Sequence, residues 1–205
     1  MSWIIIIGVF ILAAGPLFYL MPTAKDKRLT ALRSDARKLG FTIQLDGLFK
    51  LDPTPDERVT AGGQTRNTKT QCMRYQLALG QSLNHLSAIT LQRIPAHPTV
   101  PVTVIIDGWG LPADEASLTK MRDQTLAAWQ RQSQLLASLH GALQQMPVDV
   151  LGISIDGRSL GAFWREQRTD PSDSITTTAA EPLNVIHTAM IEIIDLLKSH
   201  PWEME

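Results

Sequence analysis

The sequence predicts an α+β protein, in which one amino-terminal transmembrane helix is followed by a cytoplasmic domain with a mainly antiparallel sheet covered by helices. Three observations carry that expectation. Residues 3–21 contain no charged and no strongly polar side chain. Several short runs between 41 and 164 alternate apolar with polar residues, the period of half-buried strands. The stretch after Pro182 repeats its apolar residues at helical spacing instead.

The apolar stretch comes first because it sets the location of everything after it. At about 1.5 Å per residue it makes a helix of roughly 28 Å, close to the roughly 30 Å of a bilayer's hydrocarbon core. A cleaved signal peptide would need a basic lead, and only Met1 and Ser2 precede the run. A buried core helix would show a polar face every three to four residues, and none is present. Residues 1–22 are therefore expected to be a retained anchor. The flank beyond it carries Lys25, Lys27, Arg28, Arg33, Arg37 and Lys38 against Asp26 and Asp35, a net charge of +4. Lys and Arg beside a span stay on the cytoplasmic side, so the amino terminus is expected outside a bacterial inner membrane and the domain inside. Gly8 and Gly15 lie seven apart on one face of the span, where a second helix could approach closely.

Residues 23–40 form the next unit, a basic amphipathic neck helix. Leu29, Leu32, Ala36 and Leu39 share one side, and Gly40 ends it. Its apolar side suits packing on its own domain, and its basic residues suit anionic headgroups; the two uses are compatible. Residues 41–205 then read as a single domain, with loops at 52–71 and 166–180. Residues 41–45 alternate apolar and polar as a strand does, and 48–51 is a possible partner across Asp46-Gly47, which predicts a hairpin. Strands follow at 72–79, 88–94 and 100–106, expected as consecutive neighbours in the sheet.

Pro112, Asp114 and Glu115 mark a helix entrance, and the helix is expected to run to about Gln145. Its apolar stripe shifts near 130–134, so a bend or a division into two helices is expected there. Residues 148–155 and 158–165 flank Asp156-Gly157, which predicts a hairpin with a type I′ turn. A last helix opens at Pro182, with Leu183, Ile186, Met190, Ile193, Ile194 and Leu197 on one face, and stops before Pro201.

Few residue types offer chemistry. The chain has 19 basic and 20 acidic residues, and no stretch beyond the neck is basic enough to suggest nucleic acid. Cys72 is the only cysteine and the five histidines are scattered, so no metal or iron-sulfur site is expected, and no cofactor. No nucleophile elbow, phosphate-binding loop or dinucleotide fingerprint is present. Asp107 and Asp156 each sit at a strand end, where catalytic carboxylates occur, although Asp-Gly is also the ordinary composition of tight turns.

One resemblance attaches to the first third. The apolar stretch ending in Phe18-Tyr19-Leu20, the basic neck and then Asp56-Glu57-Arg58-Val59-Thr60-Ala61-Gly62-Gly63 are similar to the amino-terminal plan of the YajC family, the accessory subunit of the bacterial preprotein translocase. The whole chain also resembles proteobacterial single-span inner-membrane proteins that end in an α+β domain. The YajC likeness implies an accessory role, and with the absence of catalytic motifs the first expectation is a membrane-bound accessory or scaffold protein that binds a protein partner without catalysis. A membrane-tethered enzyme using Asp107 or Asp156 is the alternative.

Overall fold

The computed structural model describes residues 3, 23–60, 62–64, 68–83, 88–112, 119–166 and 180–201. The apolar stretch from residue 4 onward, with Gly8 and Gly15, lies outside them. No helix among the described residues is long and apolar enough to cross a membrane. In chain order the elements are α1 (Ala24–Lys38), β1 (Thr42–Phe49), α2 (Pro55–Arg58), β2 (Lys69–Ala78), β3 (Ile89–Arg93), β4 (Val102–Ile106), β5 (Trp109–Pro112), α3 (Thr119–Arg131), α4 (Ser133–Gln144), β6 (Val150–Ile155), β7 (Ser159–Trp164) and α5 (Ala180–Ser199).

The seven strands form one sheet in the order β1-β2-β7-β6-β3-β5-β4, and every neighbouring pair is antiparallel. The expected α+β class therefore holds, whereas the expected strand order does not. β2, β3 and β4 are not consecutive neighbours, because the β6–β7 hairpin lies between β2 and β3, and β5 lies between β3 and β4.

The Asp46-Gly47 hairpin is absent. Both residues lie inside β1, which pairs along its whole length with β2, from Thr42 opposite Gln76 to Phe49 opposite Lys69. The misreading has a cause: Ile43 points to one face and Leu48 to the other, and both are covered to some degree. Burial on both faces breaks the alternation and imitates two strands. The 52–71 segment is likewise not all loop. It carries the single turn of α2, and β2 already begins at Lys69. Pro112 ends strand β5 and does not open a helix. The division of the long helix is observed at Gln132, whose φ of −92° and ψ of 53° leave the helical region between α3 and α4.

The β6–β7 hairpin is present, with Ile155 opposite Leu160. Its turn is not type I′, since no residue in it has a positive φ. The Asp156 carboxylate organises it, accepting the backbone N–H of Arg158 (2.8 Å) and Ser159 (2.7 Å) and the Ser159 hydroxyl (2.7 Å). At the β4–β5 turn Gly108 has the positive φ (+75°).

One face of the sheet meets the helices. Tyr75 and Leu77 of β2, Ile153 and Ile155 of β6, and Leu160, Ala162 and Trp164 of β7 share a core with Leu139 and Leu143 of α4 and with Ile186, Met190, Ile193 and Leu197 of α5. α1 adds Leu32 and Ala36 to the same core. The neck helix thus packs on its own domain.

The opposite face curls inward. In a flat sheet β1 and β6 would be about 14 Å apart, three strand spacings. Instead a Cβ on Gly152 of β6 would come within 2.8 Å of the Leu48 side chain of β1. The two sheet edges are stitched beyond the strands, where the N–H groups of Thr99 (2.9 Å) and Val100 (3.2 Å) donate to the Leu51 carbonyl. The result is an open half-barrel, and its hollow face is where the polar side chains of the sheet collect.

Candidate binding cleft

The hollow is a cleft of about 480 Å³, within the usual range of about 300–1,000 Å³ for small-molecule sites. A small apolar cluster of Leu48, Cys72 and Phe163 lies on the same face, and burial pushes the Cys72 thiol up from its ordinary value.

Arg74 is the central polar group. Strand alternation turns Tyr75 to the helices and Arg74 to the hollow. Room for it comes from Gly161 on the neighbouring β7: a Cβ there would lie 2.6 Å from both Arg74 Nε and Ser154 Oγ. The guanidinium lies 5.6 Å from the Phe163 ring centroid, between two carboxylates. Its Nη1 is 3.8 Å from Asp46 Oδ2 and its Nη2 is 3.8 Å from Asp156 Oδ2. Both distances are too long for hydrogen bonds. The Nε–H is buried and has no partner among the described residues. Lys69 also lines the cleft, with its ammonium 5.0 Å from the Phe49 ring centroid.

Gln92 of β3 lines the same cleft and is only 4% exposed. Buried polar groups are nearly always satisfied, so the Arg74 Nε–H is an exception. Thr90 and Ser154 add hydroxyls beside them. Among the described residues no histidine lines the cleft; its carboxylates are those of Asp46 and Asp156.

The candidate residues read from the sequence are placed differently. Asp107 is exposed in the β4–β5 turn and does not line this cleft. Asp156 does line it, but the three hydrogen bonds of the turn occupy its carboxylate and hold its pKa below the ordinary carboxylate range against the opposing effect of burial. The two carboxylates do not meet across one site. Among the described residues, no group of three His, Cys, Asp or Glu side chains could hold a metal ion.

In the neck, Lys25, Lys27, Arg28, Arg37 and Lys38 are exposed, and Lys38 pairs with Asp35 at 2.8 Å. Arg33 turns inward instead. Its Nε and Nη2 donate to Glu166 at 3.1 and 2.6 Å, and the Tyr75 hydroxyl donates to the same carboxylate at 2.6 Å. The Glu166 side chain is only 4% exposed. Burial, reinforced by the Glu166 carboxylate, raises the Tyr75 pKa far above the ordinary tyrosine value. This clamp joins α1, β2 and the end of β7.

Arg74, Gln92 and the clamp were not identified from the sequence. Arg74 and Gln92 occupy the polar phase of alternating strands, which is read as solvent-facing, and Glu166 stands at the head of a linker. No family model, no curated protein and no solved structure matches the chain. The segment that carries the YajC resemblance forms α2 and then a turn at Thr60, whose carbonyl accepts the Gly63 N–H at 2.8 Å.

Proposed function

We propose that the chain is a single-pass accessory protein of a bacterial inner membrane, whose cytoplasmic domain binds a protein partner and performs no chemistry. The observation that carries this reading is the clamp between α1 and the sheet. α1 begins directly after the apolar stretch, with Thr23 as its cap: the Thr23 N–H donates to Asp26 (3.0 Å) and the Asp26 N–H to the Thr23 hydroxyl (3.2 Å). Only Pro22 separates that cap from Met21. With Leu32 and Ala36 in the core and Arg33 on Glu166, an anchored residue 21 holds the whole domain at a fixed attitude, as a platform for a partner requires. A tether for a freely diffusing enzyme would have more slack.

The enzyme alternative draws on the convergent polar lining of the cleft. Asp156 is a turn constituent there, and Asp107 stands outside it, so binding is favoured over catalysis.

Two measurements test the proposal. A reporter joined after Glu205 in the full chain is expected to be active if it works only in the cytoplasm; strong alkaline phosphatase activity at that position would reverse the topology. The second concerns Lys25, Lys27 and Arg28, each contributing up to about 1 kcal/mol beside anionic lipid. With the full chain in nanodiscs, amine labelling of Lys25 and Lys27 is expected to slow on anionic lipid and recover with added salt, because the attraction is screened over about 8 Å at physiological ionic strength. Equal labelling on neutral and anionic discs would leave the neck as an orientation signal alone.

A further inference from the structure

We propose that the protein partner is held by strand addition at the open edge of β1, as an extended acidic segment that pairs with Ile43 and Leu45. The proposal deepens the accessory reading and takes from it that the ligand is a protein and that residues 1–22 are an anchor. Its test reads neither topology nor lipid contact, so the two fail separately.

The sheet has two edges, β1 and β4. An exposed edge invites another strand, and folded proteins blunt their edges with bulges, prolines, short length or cover. β4 is blunted: it has five residues, follows Pro101 and carries a register shift between Val104 and Ile106. β1 has eight residues, no proline and no register shift. Its outward groups are fixed by the Lys50 N–H, which donates to the Thr68 carbonyl (2.8 Å) on the β2 side. Alternate residues of a strand direct their backbone groups to opposite sides, so Ile43, Leu45, Gly47 and Phe49 direct theirs outward. Leu51, next in that series, accepts the N–H groups of Thr99 and Val100, and the Gly47 N–H is taken by the Asp46 carboxylate (2.8 Å). These two devices guard the far half of the edge. Ile43 and Leu45 have neither: among the described residues nothing pairs with their outward N–H and C=O groups. An extended main chain is the ligand that satisfies such a row of alternating donors and acceptors.

Side chains select the kind of segment. Leu45 is 69% exposed, and it lines a hollow of about 370 Å³ with Leu29 of α1, Met73 and Trp164. A residue paired opposite Leu45 has its side chain on that face, so an apolar residue there and at every second position suits the site. α1 lies against β1, and its exposed cations Lys25, Lys27, Arg28, Arg37 and Lys38 outnumber Asp26 and Asp35. That excess favours an acidic segment. A second copy of this chain does not fit an anchored domain. Residues 39–41 turn α1 back into β1, so the two run in opposite directions. Two copies sharing this edge about a two-fold axis pair antiparallel, which sends their α1 helices, and the apolar stretches ahead of them, to opposite sides. One membrane cannot hold both.

The test uses the full chain in a neutral detergent and the peptide acetyl-Glu-Val-Thr-Val-Thr-Val-Asp-amide, with binding read by calorimetry. The peptide is expected to bind at roughly 0.1 mM. Two isomers of it, N-methylated at alternate residues in one phase or the other, separate main-chain pairing from side-chain contact. One isomer is expected to bind at least about tenfold more weakly than the other, because only one keeps the N–H groups that face β1. Lysine in place of both terminal acids is expected to weaken binding at least about threefold at low salt. Leu45→Pro removes an outward N–H and no bond to β2, and is expected to abolish binding. Leu45→Ser, at the same exposed position, guards against a proline variant that fails to fold and is expected to weaken binding severalfold. Val104→Ser, on the β4 edge, should leave binding unchanged. The proposal is overturned if the peptide does not bind at about 2 mM, if the two methylated isomers bind alike, if the lysine peptide binds as tightly, or if either Leu45 variant folds and binds as the parent does. It is also overturned if the full chain sediments as a dimer that a folded Leu45→Pro variant makes monomeric, since a second copy then holds the edge.

Discussion

Replacing Ile193 by alanine is expected to destabilise the domain by about 2 to 5 kcal/mol, the range for removing a large buried aliphatic side chain. Ile193 is fully buried on α5, in the core that also holds Ile153 and Ile155 of β6 and Leu160 of β7. A typical domain has only about 5 to 15 kcal/mol in all, so the loss should appear as a large fall in the denaturation midpoint. The stronger form of the experiment removes the helix. Truncation after Ala180 would expose the sheet face that α5 covers, together with α4, which packs on α5. The remaining protein is expected to aggregate or to lose cooperative unfolding. Cooperative melting at an unchanged temperature would show that α5 contributes nothing to the core, against the burial of Leu183, Ile186, Met190, Ile193 and Leu197.

Glu166→Ala is expected to have the next largest effect, a loss of about 2 to 4 kcal/mol, because it leaves the Tyr75 hydroxyl buried without an acceptor and Arg33 without its counter-charge. The figure stays below that for a fully buried pair because the Arg33 side chain keeps 36% of its exposure. Glu166→Gln should cost less, since an amide oxygen still accepts a hydrogen bond. A second readout separates the clamp from simple packing. Tyr19 and Tyr75 are the only tyrosines, so in a Tyr19→Phe background the tyrosinate absorbance reports Tyr75 alone. Burial first and Glu166 second hold Tyr75 protonated well beyond the ordinary tyrosine value of about 10. The sign follows directly: because the folded pKa is the higher one, this contribution to stability is complete below about pH 10 and falls as pH rises above it, when tyrosine ionises in the unfolded chain. Glu166→Gln should lower the Tyr75 pKa while leaving it raised by burial. An unchanged titration would mean that the carboxylate does not act on the hydroxyl.

The β6–β7 hairpin, the last helix and the neck helix were legible because their signals are local. Ile153 and Ile155 alternate with Ser154, and Leu160, Ala162 and Trp164 do the same on the other arm. The turn between them was correct as a turn and wrong in type, since Asp-Gly composition does not distinguish positive-φ backbone from a turn held by an aspartate side chain. β5 was hidden because Trp109-Gly110-Leu111-Pro112 has the composition of a loop. Gly110 is there because the Thr103 carbonyl would lie 2.6 Å from any Cβ, a constraint set by β4.

What the sequence determined by itself was the class of most segments, helix or strand from the period of their apolar residues. Those properties are set by residues within one or two turns of each other. The tertiary structure alone decided the strand order, the curl that turns a sheet face into a cleft, and the roles of Arg74, Gln92 and Glu166. Arg33 and Glu166 are 133 residues apart, and Tyr75 and Glu166 are 91 apart. No local period records such a meeting. In a single sequence, a polar residue facing water and one facing a closed hollow have the same alternation, and only the folding of β1 over β6 makes the difference between them.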